Sequence, residues 1–129
     1  MAPDTIHHIN SADELTALLQ NTTYVAVDFY ADWCPPCKAI APVFESLAAK
    51  HAKPQFLAFA KVNVDHVASV AQTYHITAMP TFLFLKDGKQ VAVNGDAVIQ
   101  GADPRKLGAA VEKLGDLAEK RAEETKSAD

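Results

Sequence analysis

Only two of the 129 residues are cysteine and only one is tryptophan. Two cysteines cannot build the disulfide framework that holds many small secreted domains together, so the fold must rest on its own core. No apolar run approaches the ~18 residues that a membrane-crossing helix requires, and no membrane partner is expected. Positive charge is also short, with 12 Lys and Arg against 16 Asp and Glu and a net charge of −4. No basic cluster offsets that balance, which disfavours a nucleic-acid partner on electrostatic grounds. The N-terminus, Met1-Ala2-Pro3-Asp4-Thr5-Ile6-His7-His8, lacks a basic region followed by an apolar run. A signal peptide is therefore not expected, and a cytoplasmic, reducing location is. No internal repeat or linker divides the chain, so one domain over residues 1–129 is expected, able to bury roughly two-thirds of its unfolded surface.

What is present is ordinary for a globular protein, 49% hydrophobic and 22% charged, except for one stretch. Val27-Asp28-Phe29-Tyr30-Ala31-Asp32-Trp33-Cys34-Pro35-Pro36-Cys37-Lys38 holds both cysteines at a C-x-x-C spacing. Tyr24 to Tyr30 is apolar on both alternating faces except at Asp28, the pattern of a strand covered on both sides. Beyond the cysteines, Ala39, Ile40, Val43, Phe44, Leu47 and Ala48 recur at helical steps. Cys34 is thus expected at a helix start, where unpaired N–H groups and the helix dipole favour a negative sulfur. With Cys34 as the N-cap, Pro35 takes the first helical position, and the first donor available to the sulfur is the N–H of Cys37. Such placement lowers thiol pKa, so Cys34 is read as the attacking thiolate and Cys37 as the resolving thiol.

In chain order, Thr5 to Ile9 is a strand candidate, followed by the capping-box pattern Ser11-Ala12-Asp13-Glu14 and a helix striped by Leu15, Leu18 and Leu19. The helix from Pro35 to about Lys50 contains Pro42, which predicts a kink or, alternatively, two short helices. Phe56 to Val64 reads as a strand interrupted by Lys61, and Asp65 as the N-cap of a helix over His66 to Tyr74. Alternation then gives way to an antiparallel portion: Thr81 to Lys86, a turn at Asp87-Gly88, and a return over Lys89 to Val93. Asn94-Gly95 marks either a further hairpin tip or a bulged extension. Asp103-Pro104 opens a final helix buried through Leu107, Val111, Leu114 and Leu117. Residues 118–129 are polar or alanine, and that tail is expected to fray.

The ordered set Asp28, Trp33-Cys34-x-x-Cys37-Lys38, Pro42, Lys61, Met79-Pro80-Thr81, Gly88 and Gly101 resembles the thioredoxin family over roughly Thr5 to Leu117. The resemblance implies an α/β thioredoxin fold, a mixed central sheet flanked by about four helices. It also implies a protein-disulfide reductase and electron carrier for cell redox homeostasis. Its partners would be disulfide-containing proteins and a thioredoxin reductase, with electrons from NADPH and no bound cofactor. Asp28 is then similar to the family's buried carboxylate, which assists deprotonation of Cys37. Desolvation within a strand would raise its pKa and suit it to that role. The other reading is a core aspartate simply paired with Lys61. Lys61 resembles the cation that modulates Asp28. Trp33 either shields the sulfur or contacts substrate, or merely packs. Met79-Pro80 resembles a cis-proline loop that offers its backbone to an extended substrate strand, with Ala78 and the Gly101-Ala102 turn completing the surface.

Two departures stand out. Pro35-Pro36 replaces the family's usual Gly-Pro, which stiffens the helix start and leaves the redox potential open. The stretch from Gly88 to Gly101 is also longer than usual. Three competing readings are a disulfide donor or isomerase, a thioredoxin-fold adaptor with a regulatory dithiol, and a metal site. The first would want a secretory signal, and the second a lost cysteine or an altered Asp28. The third would want a second ligand pair, which the histidines at 7, 8, 51, 66 and 75 do not supply beyond His7-His8.

Overall fold

The computed structural model describes residues 5–127. The first four residues of the segment read for a signal peptide and the last two of the polar tail lie outside them. The elements are β1 (Ile6–Ile9), α1 (Ala12–Asn21), β2 (Tyr24–Tyr30), α2 (Pro35–His51), β3 (Leu57–Asn63), α3 (Ala68–Thr73), β4 (Thr81–Lys86), β5 (Lys89–Val91), β6 (Val98–Gln100) and α4 (Pro104–Ser127). One sheet runs in the order β1-β3-β2-β4-β5, with β6 also on β4. β1, β3 and β2 are parallel; β4 is antiparallel to β2, and β5 and β6 are antiparallel to β4. This is the α/β mixed sheet with four helices that the sequence led us to expect.

Strand alternation splits the core into two layers. Tyr24, Ala26, Phe59, Phe82 and Phe84 pack with Ile40 and Phe44 of α2 and with Leu107, Val111 and Leu114 of α4. Val25, Val27, Phe29, Leu83 and Leu85 form the opposite layer with Leu15 of α1 and Val70 of α3. β2 is central, paired along its length with β3 and β4, and so it carries Asp28 into the middle of the molecule.

Local signals decide most helix starts. Ser11 Oγ accepts the Glu14 N–H at 3.2 Å, but the Glu14 carboxylate takes the N–H of Asn10, so the reciprocal half of the capping box is displaced by one residue. Asp103 Oδ1 accepts the Lys106 N–H at 3.1 Å and opens α4. α2 passes through Pro42 as one helix, not two.

Three expectations need correction. The helix predicted over His66 to Tyr74 is shorter, and its N-cap is Val67 with no side-chain bond. The preceding turn is held by Asn63, whose Oδ1 accepts the N–H groups of Asp65 at 2.9 Å and His66 at 3.3 Å. The tail expected to fray is helical to Ser127, because Ala118 and Ala122 are still buried. The return strand ends at Val91, not Val93. Asn94-Gly95 forms a hairpin tip with φ of 53° and 86°. The Val93 N–H donates to the Asp96 carbonyl at 2.9 Å and the Asp96 N–H to the Val93 carbonyl at 3.0 Å.

Two glycines of α4 behave oppositely. A Cβ at Gly115 would lie 2.7 Å from His51 Nδ1, whereas one at Gly108 would meet nothing within 4 Å. Gly→Ala in a helix gains up to about 1 kcal/mol, but overpacking costs about 1–3 kcal/mol. His51 is half-buried, and its Nε2 is enclosed with no hydrogen-bond partner among the described residues, so the clash falls on a ring already packed against the protein. Gly108→Ala should therefore raise the urea midpoint and Gly115→Ala lower it, with His51→Ala reversing the sign at 115.

Candidate active site

The two cysteines meet at the carboxyl end of β2, where the chain turns into α2. Cys34 is the N-cap in extended conformation, and the Cys37 N–H donates to its Sγ at 3.2 Å. Pro35 and Pro36 occupy the first helical positions and carry no N–H, so Cys37 supplies the first available donor. The Lys38 N–H donates to the Cys34 carbonyl at 3.2 Å, and the Lys38 side chain is exposed. Cys34 and Cys37 are joined in a disulfide. Both are buried among Ala31, Tyr30, Val64 and Met79.

A second loop closes on the sulfurs. Cys34 Sγ lies 3.6 Å from the Met79 carbonyl oxygen, and the Met79–Pro80 peptide is cis. Thr81 Oγ1 donates to the Ala78 carbonyl at 2.6 Å, and the Gly101 N–H donates to the Pro80 carbonyl at 2.9 Å. Gly101 has φ of +92°, a conformation open to glycine, and it delivers the exposed Ala102 beside the proline loop. Ala78 is exposed and Met79 half-buried. The sequence candidates Cys34, Cys37, Met79, Pro80 and Gly101 are therefore in one place.

On β2, six residues before Cys34, Asp28 is 1% exposed, and neither carboxylate oxygen has a hydrogen-bond partner among the described residues. Burial pushes its pKa up from 3.8 to about 7, against the pull of the Lys61 ammonium. Asp28 and Lys61 are register partners in β2 and β3. No hydrogen bond closes between them, which argues against a simple structural pair.

Trp33 is 65% exposed, and its Nε1–H donates to Asp65 Oδ2 at 2.9 Å. Asp65 was expected to cap a helix; its carboxylate holds the indole instead. Asn63, Asp65 and Tyr30 are the neighbours of the site that sequence reasoning passed over. Tyr30 was findable, since it shares a strand face with Asp28 two residues away. Asn63 and Asp65 carried no such local signal.

A cavity of about 590 Å³, lined by residues that include Leu19, Thr22, Gln55 and Tyr74, sits at the other end of β2 and contains neither cysteine. Among the described residues no three His, Cys, Asp or Glu side chains are grouped to hold a metal, and no helix is long and apolar enough to cross a membrane.

The family profile described as thioredoxin matches residues 6–113. The chain belongs to the thioredoxin family. Among its thioredoxin relatives it is 73% identical over 116 residues to a thioredoxin-like protein of Fusarium culmorum, covering 90% of this chain and 96% of that one. It is 60% identical over 119 residues to the thioredoxin of Neurospora crassa, covering 92% and 94%. Its fold matches the crystal structure of Malassezia sympodialis thioredoxin with a TM-score of 0.77 at 36% identity, over 89% of this chain and 95% of that one. With a thioredoxin fold and its cysteines paired at the C-x-x-C, the chain is a thiol-disulfide oxidoreductase that reduces protein disulfides.

Proposed function

We propose that the protein is a general cytoplasmic disulfide reductase with Cys34-Pro35-Pro36-Cys37 as its redox centre. The Cys34 thiolate attacks one sulfur of a substrate disulfide, forming a mixed disulfide and releasing the other sulfur as a thiolate. Cys37 then loses its proton to Asp28, through water, and attacks Cys34 Sγ. The second substrate sulfur leaves as a thiolate, and the substrate has gained two electrons. A thioredoxin reductase returns the pair from NADPH. Lys61 modulates Asp28, and Pro35, Pro36 and Lys38 tune the helix start. Trp33, Ala78, Met79, Pro80, Gly101 and Ala102 form the docking surface, where backbone contacts would permit a broad substrate range.

The observation that carries this reading is the seat of Cys34: its Sγ takes the Cys37 N–H at 3.2 Å and lies 3.6 Å from the Met79 carbonyl. Attacking sulfur, thiolate-stabilising donor and substrate loop converge there. The test is the equilibrium potential of the Cys34–Cys37 couple, titrated in thiol-disulfide buffers with Trp33 fluorescence as probe and thiol trapping as check. One two-electron transition clearly below a glutathione poise of about −220 to −260 mV is expected. A clearly more oxidising couple would instead make the protein a disulfide donor, and no reversible transition would make it an adaptor.

A further inference from the structure

On β2, Asp28 and Tyr30 lie two residues apart and therefore share a face; on β3, Lys61 and Asn63 lie opposite them in register. The four side chains make a small square, whose Tyr30 corner packs against the dithiol. Asp28 is its buried corner, with neither oxygen hydrogen-bonded among the described residues. Lys61 is half-buried, and its Nζ stands 4.5 Å from the centre of the Tyr30 ring, within the range of a cation–π contact.

That contact matters because Lys61 has a competing position. A lysine ammonium at the margin of a core is drawn outward by its hydration while its stem stays on apolar surface. Among the described residues no carboxylate oxygen anchors Lys61 in an ion pair, and its ammonium rests on the aromatic face of Tyr30. The remaining surroundings of Asp28 supply no substitute charge. Its register partner on β4 is Phe82, and α2 and α4 cover this face with the apolar Ile40, Phe44, Leu107 and Val111; the other charged group facing the square is Asp32, which acts on Tyr30. The ammonium is thus the one positive charge that the square holds near Asp28, and Tyr30 decides where it stands.

We propose that Tyr30 is a positioning residue for proton transfer, its ring seating the Lys61 ammonium beside the buried Asp28 carboxyl. The role rests on the reading of Asp28 as acceptor of the Cys37 proton, but the contact itself is independent of it. It is the ring that the ammonium contacts, while the hydroxyl is engaged with Asn63. Loss of the ring lets Lys61 swing toward water, weakens its attraction for the Asp28 carboxylate and makes Asp28 hold its proton to higher pH.

The test follows the Asp28 carboxyl by carbon-13 NMR titration in the full-length protein, with Tyr30→Leu, Tyr30→Met, Tyr30→Phe, Lys61→Met and the double variant Tyr30→Leu/Lys61→Met. Tyr30→Leu and Tyr30→Met should each raise the Asp28 midpoint by about one unit, a tenfold gain in proton affinity. Lys61→Met should do the same, the double variant should add nothing to it, and Tyr30→Phe should titrate as the parent. The alkaline limb of the reduction rate should move with the midpoint. A midpoint unmoved by loss of the ring, or an undiminished shift in the Lys61→Met background, would overturn the proposal. Failure of the acceptor reading is seen separately, as an Asp28→Asn variant that keeps its full rate.

Discussion

Cys34→Ser loses disulfide-reductase turnover by roughly 10³-fold or more, the scale on which removal of an essential nucleophile acts, while Cys37→Ser attacks once and stops. The asymmetry follows from the helix start. Cys34 is the N-cap, and its sulfur receives the Cys37 N–H, so a thiolate there gains a hydrogen bond and the favourable end of the helix dipole. Serine is itself a good N-cap, and Cys34→Ser should therefore fold normally while failing chemically. In Cys37→Ser the attack on substrate proceeds, but nothing attacks Cys34 Sγ in turn, and the mixed disulfide accumulates. Intact-mass measurement after mixing with a disulfide-bonded protein checks both. Adduct formation by Cys34→Ser and none by Cys37→Ser would reverse the two roles.

Asp28→Asn stabilises the protein at alkaline pH relative to the parent, by an amount that shrinks as pH falls. The Asp28 pKa is raised from 3.8 to about 7 by burial, so the folded state holds this proton more tightly than the unfolded state does. The associated stability is fully present below about pH 4 and is lost as pH rises through about 7. A shift of about three units at ~1.4 kcal/mol each gives an upper limit of about 4 kcal/mol above pH 8. Asparagine carries no charge to desolvate, so it escapes that loss. Any cost of burying its amide is the same at all pH and cancels from the trend. Urea unfolding of both proteins at pH 5 and pH 8.5 reads the difference. An equal gap at the two pH values would mean that Asp28 ionises without penalty. The same substitution should slow disulfide reduction near neutrality by roughly tenfold or more, as loss of a positioned acid-base group does.

Of the residues behind these two predictions, Cys34 and Cys37 were readable from the sequence alone, and the reason is locality, whereas the role of Asp28 came from the family resemblance. The apolar run of β2, the N-cap at Cys34, the turn at Asp87-Gly88 and the cap at Asp103 are each settled within a few residues of chain. Asp65 was misread because its carboxylate bonds Trp33, 32 positions away, and no local pattern records that demand. α4 outruns its apolar stripe because alanines 118 and 122 fill narrow space against the body of the protein, which a polar composition conceals. The Lys61–Tyr30 contact depends on the register of two strands separated by a helix. The family resemblance supplied Asp28, Lys61 and the proline loop as a set, but it named neither Tyr30 nor Asn63.

The broken margin of the sheet carries a last consequence. β5 pairs with Phe84 to Lys86 and β6 with Thr81 to Leu83, so a border that would otherwise be one ladder is split by the looped-out tip at Asn94-Gly95. Its two pieces are three residues each, and the opposite border, β1, is four. A foreign strand finds no uninterrupted row of free amides on which to template itself. The split between β5 and β6 therefore works against self-association, and a deletion that fused β5 with β6 would offer crowded copies of the chain a longer seam along which to stack.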